Sequence, residues 1–157
     1  MPPAPASPTK PIKMIARNKR ARHDYELDDE FEAGLMLLGS EVKSLREGKA
    51  TLSSAHVRVL HGEAWVYGLQ IPEYAWSHQF NHDVERPRKL LLHRRQIDRL
   101  DAALGTRGMA CVVLAIYFRG AHVKIEIGIG RGRKQHDKRE KLKQSDAQRE
   151  IARALRG

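Results

Sequence analysis

The sequence contains a single cysteine, Cys111. One thiol can form neither an internal disulfide nor a cysteine-based zinc site, so a reducing compartment is expected. No run approaches the roughly 20 apolar residues of a membrane-spanning helix, and the first residues lack the apolar core of a secretory signal. A soluble, cytoplasmic protein with no membrane partner is therefore expected. Catalytic signatures are missing as well: no nucleophile motif, Walker loop, dinucleotide fingerprint or HExxH pair occurs in the chain. The carboxylates are scattered rather than clustered, which argues against a metal-dependent nuclease. No enzymatic activity, catalytic residue or cofactor is expected. Acidic residues are absent from residues 1–22, where six lysines and arginines stand unopposed.

What the chain has in abundance is positive charge, with a formal net charge of +10 over 157 residues. The excess sits at the two ends. Residues 1–22 carry +6, residues 131–157 again carry +6, and the body between them carries −2. A near-neutral body with basic arms points to a polyanionic partner, nucleic acid before any other. The expected organisation is a proline-rich, basic and disordered segment over 1–17, a folded domain over 18–130 and a basic tail over 131–157.

Within the body the pattern is mostly that of strands. Tyr25 and Leu27 alternate with charged residues, and Phe31 to Leu38 reads as a second extended run broken at Gly34. Ser40 is placed to cap a short helix over Glu41–Glu47, with Val42 and Leu45 inward. Val57 and Val59, then Trp65, Tyr67 and Leu69, alternate around a His61-Gly62 turn, the signature of a hairpin. Residues 72–89 form a long loop. A second helix over His93–Leu104 turns Ile97, Leu100 and Leu104 inward and Arg94, Arg95 and Arg99 outward. Met109–Phe118 and Ala121–Ile129 pair through Arg119-Gly120. The glycine-rich run 128–132 serves as a hinge. The fold class is mainly β with short helices, a small oligonucleotide-binding-type β-barrel.

Two stretches carry binding chemistry. Asn18, Lys19, Arg20, Arg22, His23 and Tyr25 offer fixed cations, an amide and rings for stacking; a solvated basic linker is the plainer alternative. Arg88 and Lys89 put cations beside Leu90-Leu91-Leu92, of which Leu90 and Leu92 are expected in the core. Lys124, on the last strand, joins this set of RNA-contacting cations. His78 and His82 have metal-ligand spacing only on a helix, and Pro72, Asn81 and Pro87 argue for a loop, so no metal is expected. In the tail, Lys138, Lys141, Arg149, Arg153 and Arg156 fall near one helical face, with Ala147, Ile151 and Leu155 on another. Such a helix is marginal alone in water. The tail is expected to be disordered when free and helical on a polyanion.

The blocks NKRARHDY (18–25), FEAGL (31–35), GSEVKSLREGKA (39–50), GEAWVYG (62–68), RKLLLHRRQID (88–98) and KQHDKRE (134–140) together resemble the SsrA-binding protein (small protein B) family. The resemblance implies a non-enzymatic protein, a monomer, that binds the tRNA-like end of transfer-messenger RNA (tmRNA) and delivers it to stalled ribosomes for trans-translation. It implies elongation factor Tu as an indirect partner through the RNA. It further implies that the tail stands in for message in the decoding centre and messenger channel of the small subunit. By this resemblance Asn18, Glu32 and Leu91 are linked to RNA binding, and Leu91 is an exposed apolar contact. Glu32 would accept hydrogen bonds from base edges or ribose hydroxyls, hold a cation such as Arg20 or Arg22, or form a purely structural salt bridge. Gly132, His136, Asp137, Lys138 and Arg139 match the ribosome-active stretch, and His136 would stack on a decoding-centre base. Arg133, Lys134, Lys141, Arg149, Ile151, Arg153 and Leu155 complete the implied ribosome-binding tail. A generic ribosomal or single-strand RNA-binding protein is the alternative.

Overall fold

The computed structural model describes residues 11–75 and 81–133. In chain order the elements are β1 (Ile12–Arg17), α1 (Ala21–Asp24), β2 (Tyr25–Leu35), α2 (Gly39–Arg46), β3 (His56–Leu60), β4 (Glu63–Tyr67), β5 (Arg88–Leu91), α3 (Arg94–Leu104), β6 (Met109–Arg119) and β7 (His122–Gly132). Strand pairing is antiparallel throughout. The order β6-β3-β4-β5-β2-β7 returns to β6, so the sheet closes into a barrel-like ring, with β1 laid along the second half of β6. The expected small β-barrel with short helices is the fold.

Its interior follows from period-two alternation. Val57, Ala64, Val66, Leu90, Val113, Ile116, Ile125 and Ile127 point inward and are buried, while charged neighbours on the same strands face out. Helix α2 sends Leu45 into this core and α3 sends Leu100. Each helix begins with a side chain reaching back to the residue before it. The Leu38 N–H donates to Glu41 Oε1 at 2.8 Å, and the His93 N–H to Gln96 Oε1 at 3.0 Å. Ser40 therefore does not cap α2; its hydroxyl bonds His82 Nδ1 at 2.8 Å.

Several expectations need correction. Residues 12–17, assigned by sequence to a disordered arm, form β1 and pair with residues 115–119. The prolines upstream do not carry into this segment, since the apolar pair Ile15 and Ala16 packs on the core. The two runs expected within 25–38 are one continuous strand, β2, because Glu26 to Gly34 is paired along its length with β7 across a single bulge at Leu27/Asp29. The glycine run 128–132 is no hinge. It is strand to Gly132, and Gly130 is required by contact: a Cβ there would lie 2.1 Å from the Glu26 carbonyl oxygen.

Candidate nucleic-acid interface

Strands β2, β5 and β7 build one groove on the outside of the barrel. Gly34 stands opposite Leu91 on one side and Lys124 on the other. Lacking a side chain, Gly34 lets Leu91 lean across it; a Cβ at 34 would sit 3.2 Å from that of Leu91. Leu91 is 52 % exposed, whereas Leu90, one residue away, is buried. Glu32, Lys89, Leu91 and Lys124 all line this open groove of about 540 Å³. An exposed leucine among cations suits a ligand with both phosphates and apolar faces.

Glu32 is held from β6, the strand beyond its neighbour β7. It accepts a short hydrogen bond from the Tyr117 hydroxyl and two from Arg119, Nη2 at 2.9 Å and Nε at 3.2 Å. Burial works to raise its pKa, but the bonds from Tyr117 and Arg119 and the charges of Arg119 and Lys124 outweigh it, so Glu32 stays an anion below the usual carboxylate range. The cation it holds is Arg119, not Arg20 or Arg22. Arg119 and Tyr117 are the residues sequence reasoning missed; the pairing of Tyr117 with Lys124 across β6 and β7 is the register fact that brings them to Glu32.

Arg88 does not belong to this groove. It is fully buried and pairs with Glu41 of α2, also fully buried. It further donates to the carbonyl oxygens of Leu69 at 2.7 Å and Val84 at 3.2 Å. Arg86 caps the same carboxylate at 2.6 Å. Alternation held the signal: Arg88 shares its parity with inward Leu90, whereas Lys89 shares its parity with outward Leu91. Lys89 faces out and pairs with Glu63 at 3.1 Å.

A second cleft, of about 790 Å³, lies where the segment 16–25 meets the loop 50–56. Asn18 fixes its floor. Its backbone N–H donates to the Leu114 carbonyl at 2.8 Å, and its side-chain amide to those of Val113 at 3.2 Å and Leu52 at 3.5 Å. Anchored so, the chain turns Lys19, Arg20, Arg22 and His23 to solvent while Ala21 is buried against Val112 and Leu114. Arg22 is spoken for by Glu30, with a second bond at 3.0 Å, and lies 3.7 Å from Glu126. His23 Nδ1 is 3.2 Å from Asp24 Oδ1. Lys19 and Arg20 form no ion pair among the described residues. Tyr25 packs half-buried on the small core beneath.

The end of β7 meets this cleft. Gly132 pairs with Tyr25, and the Arg133 N–H donates to the Asp24 carbonyl at 2.8 Å. The tail residues Lys134, His136, Asp137, Lys138, Arg139, Lys141, Arg149, Ile151, Arg153 and Leu155 lie outside the described residues, as does His78. His82 is buried, with its second ring nitrogen, Nε2, 2.8 Å from the Ile71 carbonyl oxygen, so both ring nitrogens have protein partners.

The chain matches the family model described as SmpB protein over residues 15–157. It is 51 % identical over 145 residues to an SsrA-binding protein of Syntrophotalea carbinolica, covering 92 % of this chain and 97 % of that one. With an SsrA-binding protein of Thermobifida fusca it shares 48 % identity over 144 residues, 92 % of this chain and 90 % of the relative. Among solved structures it resembles a chain from "tmRNA-SmpB: a journey to the center of the bacterial ribosome", with a TM-score of 0.65 and 41 % identity over 76 % of this chain and 84 % of that one. A match of this extent, over a barrel of this topology, makes the chain a member of the SmpB family of SsrA-binding proteins.

Proposed function

We propose that this chain binds the tRNA-like end of tmRNA and brings it to stalled ribosomes for trans-translation, as a binding protein with no chemistry of its own. The observation that carries the reading is a convergence. Glu32, Leu91 and Lys124, far apart in sequence, line one groove of a chain whose relatives bear the name SsrA-binding protein along almost their whole length. Lys124 and Arg119 supply charge for phosphates, Leu91 an apolar surface, and Glu32 keeps Arg119 in place while leaving acceptor capacity toward ribose hydroxyls or base edges. The cleft around Asn18 provides Lys19 and Arg20 to the same RNA or to the ribosome. The tail leaves from that cleft, and in this reading residues 133–157 enter the decoding site and messenger channel of the small subunit in place of message. The protein works as a cytoplasmic monomer and meets elongation factor Tu only through the RNA.

Binding of a tmRNA transcript by Glu32→Ala/Leu91→Ala tests this. The double variant removes two outer-face side chains and no core atom, so it should melt within a few degrees of the parent. Its affinity should fall about tenfold or more, with tagging of stalled chains falling in step. Unchanged affinity in the folded variant contradicts the groove assignment. Equal affinity of the parent for tmRNA and for unrelated RNAs of the same length supports the generic RNA-binding alternative instead.

A further inference from the structure

Between the groove and the cleft lies a stretch of outer sheet surface whose middle residues, Arg58, Trp65 and Tyr67, line neither. In antiparallel register, residues directly opposite one another share a face. Arg58 of β3 stands opposite Trp65 of β4, and Trp65 opposite Lys89 of β5; one row along, His56 stands opposite Tyr67. The intervening Val57, Ala64, Val66 and Leu90 are buried, so this row faces outward. It is an ordered surface. The rings of His56 and Tyr67 stack with centroids 5.9 Å apart at an interplanar angle of 22°, and the Arg58 guanidinium lies 5.7 Å from the centroid of Tyr67. Arg58 is exposed and forms no ion pair with a carboxylate among the described residues.

The two ends of this row belong to the two sites already described: Lys89 lines the Leu91 groove, and His56 lines the Asn18 cleft. A hairpin whose inner face is Val57, Ala64 and Val66 does not need an unpaired cation over an outer ring for its stability. Flat rings beside a cation free of any carboxylate do suit single-stranded nucleic acid, because every base has a face to stack and every nucleotide a phosphate to neutralise.

We propose that the outer face of β3 and β4 is a third RNA-contact surface, on which Trp65 and Tyr67 stack on unpaired bases and Arg58 meets a phosphate, joining the groove to the cleft along one RNA. This rests on the RNA-binding function proposed above. The occupant is an unpaired segment of a folded RNA rather than a duplex, whose bases would be inaccessible for stacking.

Trp65 is itself the reporter. The chain has two tryptophans, so Trp76→Phe in the full-length protein leaves Trp65 as the only one. Titration of this protein with a transcript of the tRNA-like end of tmRNA should quench Trp65 emission saturably. In the same background Arg58→Gln should weaken binding about tenfold and lower the salt slope by about one, while Tyr67→Leu should weaken binding about tenfold with the slope unchanged. Arg58 projects into solvent, so its replacement removes no core contact, and Trp65→Phe, which keeps a ring, should bind more tightly than Trp65→Leu. If the parent binds the transcript while Trp65 emission does not move and Arg58→Gln and Tyr67→Leu bind as the parent does, this surface carries no RNA and the groove assignment stands. If the parent does not bind the transcript at all, the proposed function falls and this surface with it.

Discussion

Arg88 and Arg119 both donate to a glutamate, yet their surroundings give the two pairs different work. Glu41 and Arg88 are fully buried, and Arg88 spends its remaining donors on loop carbonyls. Burial, the largest influence on each, pulls Arg88 below its ordinary pKa; for Glu41 it is outweighed by the bonds from Arg86, the Leu38 N–H and Arg88, which keep the carboxylate ionised. Arg88→Ala would leave Glu41 buried with only Arg86 and the Leu38 N–H as partners, and should cost about 3–5 kcal/mol of stability, read as a lowered midpoint in chemical denaturation, with RNA affinity of the folded fraction unchanged. Glu126 works in the opposite direction. Burial, the Glu30 charge and its bond to Glu30 push its pKa up, against the charges of Arg22 and Arg17. A raised carboxyl pKa favours the fold below the ordinary carboxylate range, and that contribution is lost as pH rises through the folded value. Glu126→Gln should therefore stabilise the protein at pH 7, by ~0.5 kcal/mol given its solvent exposure, with the gain shrinking toward about pH 4. Glu32 and Glu41, whose values are depressed, contribute above the ordinary range and lose their contribution as pH falls through their folded values. Melting temperatures of parent and variant across this range check both signs.

At the scale of elements, the sequence was most legible where one face is buried and turns are marked. The β3–β4 hairpin, α3 and the β6–β7 pair could be read because alternation or helical spacing runs unbroken between glycine-bearing turns. Strand β1 was hidden because Pro2 to Pro11 immediately precede it and its outer residues, among them Ile12 and Met14, remain exposed; only pairing with β6 explains it. The continuity of β2 was hidden by Gly34, which looks like a break in sequence and is a gap for Leu91 in space. Of the groove, Glu32 and Leu91 were legible through family resemblance, and Lys124 as a cation on the last strand. Arg119 and Tyr117 were not, because nothing in one sequence says that β2 lies along the other edge of β7, across from β6. Arg88 was misplaced by composition, although its parity with Leu90 marked it as inward. The tail forms an element of its own in the proposed function: Asp137, Lys138 and Arg139 replaced together by Ala should leave tmRNA affinity within about threefold, since the net charge removed is only one, while tagging of stalled chains is lost.

For the whole molecule, charge is arranged by task. A body of net −2 folds on an apolar core, with its carboxylates Glu32, Glu41, Glu30 and Glu63 engaged in holding arginines and lysines in place. The surplus cations sit in the arms, and the C-terminal arm departs beside the Asn18 cleft through the Arg133–Asp24 bond. The proposed function divides labour along that line: the barrel holds the RNA, and the tail licenses its use on the ribosome. Removing residues 133–157 leaves every described strand intact and removes the Arg133–Asp24 backbone bond at the cleft. The most direct test is a reconstituted reaction with ribosomes stalled on truncated message and charged tmRNA, run with the full chain and with the protein ending at Gly132, alongside tmRNA binding by both. The account predicts that the shortened protein still binds tmRNA, somewhat more weakly at low salt, and supports no peptide tagging. Full tagging by the shortened protein, or complete loss of its tmRNA binding, would contradict it.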